Sequence, residues 1–191
     1  MKNRKENKMQ EMPNFESDLE IWDYIAINLV KQGKKSADYY DDTYVNQGFS
    51  CMYRGYDPKT GDNLKCAVGW LITDENYHQG FEDESIDSPD VLMAVKLSNP
   101  NLKIGSGSFA MLRLAQYIHD QMNAEIWNCA FSVGRQLCFV DGSFIDSQPK
   151  TGSDWNKYYH AIKAICDPIG DNTGRFAEEL FPLYKVLETA S

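Results

Sequence analysis

The chain has 191 residues, 42% hydrophobic and 13% aromatic, enough to fill a core, and it carries a formal net charge of −9 with a pI near 4.8. That charge argues against non-specific binding to nucleic acid or to an anionic membrane, both of which need a basic surface. The longest fully apolar run, Cys66 to Ile72, falls far short of the roughly 20 residues that span a bilayer. The basic start MKNRKENKMQEM lacks the apolar segment of a secretory signal, and five cysteines without a C-x-x-C point to free, buried thiols in a reducing cytoplasm.

In chain order, residues 1–14 are polar and read as a disordered tail. Ser17-Asp18-Leu19-Glu20 then matches a capping box, and Trp22, Ile25, Ala26, Leu29 and Val30 recur at helical spacing up to Gly33, the natural stop. A polar, tyrosine-rich stretch over 34–49 leads to a hairpin. There Cys51, Tyr53 and Tyr56 precede the turn Asp57-Pro58-Lys59-Thr60-Gly61, and Leu64, Cys66 and Val68 alternate after it. Two registers remain open, one setting Cys51 opposite Cys66 and the other setting Tyr53 there. From about Ala67 the apolar run reads as a helix, with Cys66 near its N-terminus.

Asp74 to Asp90 holds seven carboxylates and no Lys or Arg. Ser88-Pro89-Asp90 opens a short helix that Asn99-Pro100-Asn101 ends, and Gly105-Ser106-Gly107-Ser108 leads into another running to about Met122. A further helix carries Ile126 to Leu137, residues 140–152 form a loop or a small hairpin around Asp141-Gly142, and Asp154 to Cys166 is helical, stopping at Pro168. Thr173 is placed to cap a last helix. The expectation is an α+β, mainly helical single domain of five or six helices over 15–191, with one small antiparallel β-hairpin near residues 50–67. Its core spans 18–138, with a helical extension over 150–191.

The pattern Cys51-x-Tyr53-Arg54, then Lys65-Cys66-Ala67-Val68-Gly69-x-Leu71-Ile72-x-Asp74-Glu75-x-Tyr77, then Leu114-Ala115-Gln116-x-Ile118-His119-Asp120, resembles a group of small bacteriophage and bacterial proteins with no established activity. The likeness covers roughly residues 18–138 and is most specific in its middle segment. It implies an intracellular, phage-associated setting and brings no cofactor or catalytic residue. This chain departs from the pattern at Trp70, where a small residue or cysteine is usual, and in its C-terminal extension of about fifty residues.

Cys66 is the sharpest chemical candidate, because a helix N-terminus stabilises a thiolate. His119 is the natural base and Asp120 its neighbour, although adjacent helical residues point about 100° apart. The plainer and favoured reading of Cys66 is a small buried hydrophobe. Glu75-x-x-His78 is half of a di-iron motif and occurs once, so neither a metal nor a cofactor is expected. Arg54, flanked by Tyr53 and Tyr56, suits an anion, or else fixes Asp74 or Glu75 and ties the hairpin down. The carboxylates Asp74, Glu75, Glu82, Asp83 and Glu84 form either a solvated loop or a docking surface for a basic protein. Two main functions follow, beside a third, a small-ligand binder built on Arg54 and the tyrosines. The favoured one is a phage-type accessory protein acting in the host cytoplasm by protein–protein interaction, with inhibition of a host defence system as one version. The alternative is a small cysteine-dependent hydrolase or transferase using Cys66 and His119.

Overall fold

Five α-helices and two two-stranded antiparallel ribbons make up the protein, seen in a computed structural model that describes residues 12–36, 52–82, 84–145 and 154–170. Cys51, Asp83 and the helix expected from Thr173 lie outside the described residues. So do most of the expected tail and all of the C-terminal extension except 154–170. Met12 to Asn14, expected as the end of that tail, lie against the body. The Tyr24 hydroxyl approaches the Met12 sulfur, and Asn101 donates to the Asn14 side chain at 2.9 Å.

Helix α1 (Asp18–Gln32) begins and ends as its sequence indicates. The Ser17 hydroxyl accepts the Glu20 N–H at 3.2 Å, and Gly33 closes the helix at φ 62°. The reciprocal half of the capping box is displaced by one residue, because the Glu20 carboxylate takes the Glu16 N–H at 2.7 Å. The buried face of α1 is Ile21, Trp22, Ile25, Ala26 and Leu29. It packs on α4 (Trp127–Leu137) and α3 (Ser106–Gln121). Trp22 is the centre of that contact. Its ring lies 5.0 Å from Phe131 and 5.4 Å from Phe139, and its indole N–H donates to the Phe131 carbonyl at 3.0 Å. Gly134 is what lets the two helices approach. A Cβ there would sit 2.4 Å from the Trp22 ring.

The first ribbon pairs β1 (Arg54–Tyr56) with β2 (Asn63–Lys65), Arg54 opposite Lys65. This register is the one that continues to Tyr53 opposite Cys66. The turn closes through Gly61, at φ 79°, donating to the Asp57 carbonyl at 2.8 Å. The Asp57 carboxylate accepts the Lys59 N–H and the Thr60 hydroxyl.

Three expectations need correction. The helix expected from Ala67 is a single 3-10 turn, Val68–Leu71. It stays short because Arg54 takes the Gly69 and Ile72 carbonyls and Ser98 takes the Thr73 N–H that would continue it, while Gly69 passes so close to Tyr53 that a Cβ would lie 2.3 Å from its carbonyl oxygen. A second hairpin exists where a loop or hairpin was left open. It pairs β3 (Phe139–Val140) with β4 (Ser143–Phe144) around Asp141-Gly142, both at positive φ, so the fold has two ribbons and not one. Finally, α5 (Asp154–Gly170) runs past Pro168. A proline so near a helix end removes one backbone donor without stopping the last turn.

Candidate functional site

Polar side chains assemble the site around the 3-10 turn. The Arg54 guanidinium donates to the carbonyls of Gly69 and Ile72, each at 2.5 Å, and to Asp74 at 3.3 Å, with the Tyr77 ring 5.1 Å beneath it. On α2 (Pro89–Ser98), the Ser98 hydroxyl takes the Thr73 N–H at 2.9 Å, and just beyond it Asn99 donates to the Leu71 carbonyl at 2.7 Å. From α3, Gln116 accepts the Val68 N–H at 3.1 Å. The two terminal nitrogens of Arg54 are thus engaged by three backbone carbonyls, of Tyr53, Gly69 and Ile72, and by the Asp74 carboxylate. Tyr53 is buried, and Tyr56 points to solvent at 58% exposure.

Both edges of the β1–β2 ribbon are covered by side chains, which answers the liability of an unpaired strand edge. Gln32 of α1 accepts the Lys65 N–H and donates to the Lys65 carbonyl, each at 2.9 Å, as a neighbouring strand would. On the other edge the Glu82 carboxylate accepts the N–H groups of Tyr53, at 2.6 Å, and Arg54, at 3.0 Å, and the Tyr77 hydroxyl at 2.5 Å. Burial first, and then that bond to Glu82, pushes the Tyr77 phenol well above its ordinary value.

The acidic stretch is thus not a uniform rim. Glu82 is committed to the ribbon, and Asp74 pairs with Arg54 and with Lys65 at 3.7 Å. Asp87 holds Arg113 in a two-pronged pair at 2.9 and 2.5 Å. Counter-charge comes from outside the stretch, which its sequence hides. Glu75, Glu84 and Asp90 stand exposed, and no described cation pairs with their carboxylates.

A cleft of about 430 Å³ opens between the ribbon and α3. Cys66, Gln116 and Asp120 line it, between the rings of Tyr53 and Tyr117. Glu84, Asp87 and Arg113 also line it, so its lining counts three acidic residues, Asp120 included, and one arginine. Cys66 is 1% exposed, and its sulfur accepts the Gly69 N–H at 3.3 Å.

His119 does not line this cleft. Its ring is buried against Trp127, stacked at 5.1 Å, and Nε2 accepts the Ser36 N–H at 3.3 Å. With Nε2 accepting, the ring proton of the neutral imidazole sits on Nδ1 and points to the Asp120 carboxylate, 2.8 Å away. The expectation that Asp120 points away from His119 is therefore corrected. The carboxylate folds back along the helix, and Gln116, one turn earlier, donates to it at 2.9 Å. The structure brings Cys66 and Asp120 to one cleft and joins His119 to Asp120. The lone pair that His119 would need as a base toward Cys66 is engaged by the backbone.

Gln116, Gln32 and Arg113 were missed in sequence. The available signal was on the polar face of α3, where Arg113, Gln116 and Asp120 recur at helical spacing. Among the described residues no group of three His, Cys, Asp or Glu side chains could hold a metal ion, and no helix is long and apolar enough to cross a membrane. No family model, no curated protein and no solved structure matches the chain.

Proposed function

We propose that this protein works by binding, as a phage-type accessory protein that docks a basic surface of a host protein, with inhibition of a host defence system as one version. The observation that carries this reading is the acidic lining of the cleft, where Glu84, Asp87 and Asp120 stand against the single guanidinium of Arg113, which is paired with Asp87. A Lys or Arg side chain entering there meets a carboxylate excess between two tyrosine rings, which suits a cation. Glu75 and Asp90 are exposed as well and carry the same sign. The resemblance to phage proteins supports the setting, as an analogy. Charge complementarity of this kind acts mainly on the rate of encounter and weakens with salt.

The test is capture of a host partner by the tagged chain, followed by measurement of the isolated pair. Glu84→Lys is expected to slow association several-fold, and raised salt to do the same to the parent. If neither changes the rate constant, the acidic lining of the cleft is not the docking surface.

The second reading, a cysteine hydrolase or transferase, is favoured by one observation, that Cys66 and Asp120 share a cleft. It predicts fast, pH-dependent alkylation of Cys66 and loss of effect in Cys66→Ala. An ordinary alkylation rate with full effect in that variant removes it.

A further inference from the structure

We propose that Cys129 and Cys166 are a reversible redox pair that closes into a disulfide and staples α5 to α4. All four described cysteines are buried, yet only these two face one another. Their sulfurs lie 2.8 Å apart, closer than two unbonded sulfurs rest, and less than 1 Å of movement reaches the bonded separation of about 2.05 Å. They are 37 residues apart in sequence, so the contact is a property of how α4 and α5 pack.

The other described thiols are placed differently. Burial pushes Cys138 up to about 12, which keeps it protonated and inert, and the Cys66 sulfur meets the Gly69 N–H and no second described thiol. Cys129 is pulled below its ordinary value by the hydrogen bond from Cys166, against the effect of its burial. It is the sulfur that reacts first.

The oxidant is a peroxide. Oxygen transfers to the Cys129 thiolate as the O–O bond breaks and hydroxide leaves, giving a sulfenic acid. The Cys166 sulfur then displaces that oxygen, which leaves as water with the thiol proton. One hydrogen peroxide and two thiols become one disulfide and two waters, a two-electron oxidation of the sulfur pair. Thiol exchange with a reducing pool reverses it, which suits a compartment where such bonds are transient.

The bond closes a long loop and ties down the helix that backs one wall of the cleft. Tyr159 of α5 packs edge-on against Tyr117 at 4.5 Å, and Tyr117 lines the cleft. Closing the pair removes freedom from the unfolded chain and raises the melting temperature.

The experiment treats the full chain with hydrogen peroxide, alkylates the remaining thiols in denaturant, and maps the peptides by mass. The expected result is one linkage between the Cys129 and Cys166 peptides, a mass about 2 Da below the dithiol form, and reversal by dithiothreitol. The oxidised chain is expected to melt about 5 °C or more above the reduced chain. Alkylation of both cysteines after peroxide, a linkage through any other cysteine, or sulfinic acid at Cys129 would each overturn the proposal. So would a linked form that melts no higher than the reduced one.

Discussion

The α1–α4 contact and the β1–β2 ribbon solve the same problem by opposite means. Where α1 meets α4, the backbone satisfies itself within each helix, and the side chains mainly fill space: Trp22 against Phe131, with Gly134 as the notch. In the ribbon the backbone has too few strands to satisfy itself. Glu82 and Gln32 supply the missing partners along its edges, and Arg54, Gln116 and Asn99 do the same for the 3-10 turn that follows, from as far as 48 residues away. The first region depends on shape and the second on hydrogen bonding. The same small substitution is therefore felt differently in each.

The largest expected effect is in the packed region. Trp22→Ala removes a fully buried indole together with its N–H bond to the Phe131 carbonyl, and about 4 kcal/mol of stability is expected to go, read from the urea midpoint. Gly134→Ala forces a methyl into the Trp22 ring and is expected to cost about 3 kcal/mol. If Gly134→Ala instead melts like the parent, the notch is not tight and the contrast with the ribbon is lost.

Next is Glu82→Gln, which keeps the shape and removes the charge. Its amide cannot accept from Tyr53, Arg54 and Tyr77 together without turning a donor toward a donor, so about 2 kcal/mol is expected to be lost. The sharper readout is where it is lost. Amide exchange is expected to rise over 53–56 and 63–65 while α1 and α4 keep their protection. Uniform acceleration would show that the two regions open as one.

A smaller effect is confined to acid. The Lys34 ammonium first, and then the Lys59 N–H, hold the Asp57 carboxyl at about 2, below its ordinary 3.8. The folded chain therefore binds that proton less readily than the unfolded chain does. The stabilisation is complete above about pH 4 and is lost as the pH falls toward 2. Asp57→Asn is expected to melt lower than the parent at pH 6, with the gap closing by pH 2. A gap that stays constant would remove Asp57 from the account.

The smallest effect should come from the exposed carboxylates. Glu75→Lys and Glu84→Lys are expected to shift stability by no more than about 0.5 kcal/mol, because no described partner is lost. A larger loss in thermal melts would mean that these side chains help hold the fold.

The contrast also explains what could be read in advance. The helices were visible because apolar residues repeat with the helical period, and α1 even showed its cap and its stop in Ser17 and Gly33. The turn at Asp57–Gly61 was visible because its residues have few other uses. The polar web was not, since a glutamine that clasps a strand edge looks like any surface glutamine, and its partner lies 33 residues away. The seven carboxylates of 74–90 looked alike in sequence, and only position separates Glu82, which holds the ribbon, from Glu84, which faces the cleft. Cys66 drew attention through its helix-like surroundings, and it does lie in a cleft. His119 did not follow it there, because helical phase puts that ring against Trp127.

The Trp22 indole has its acceptor 109 residues further along. On a ribosome adding roughly 5–20 residues each second, that carbonyl emerges on the order of ten seconds after the indole. Throughout that interval the nascent N-terminal helix displays a bare aromatic flank to its surroundings. A holding chaperone, or a pause placed after residue 134, would therefore alter the yield of this protein far more than its final stability.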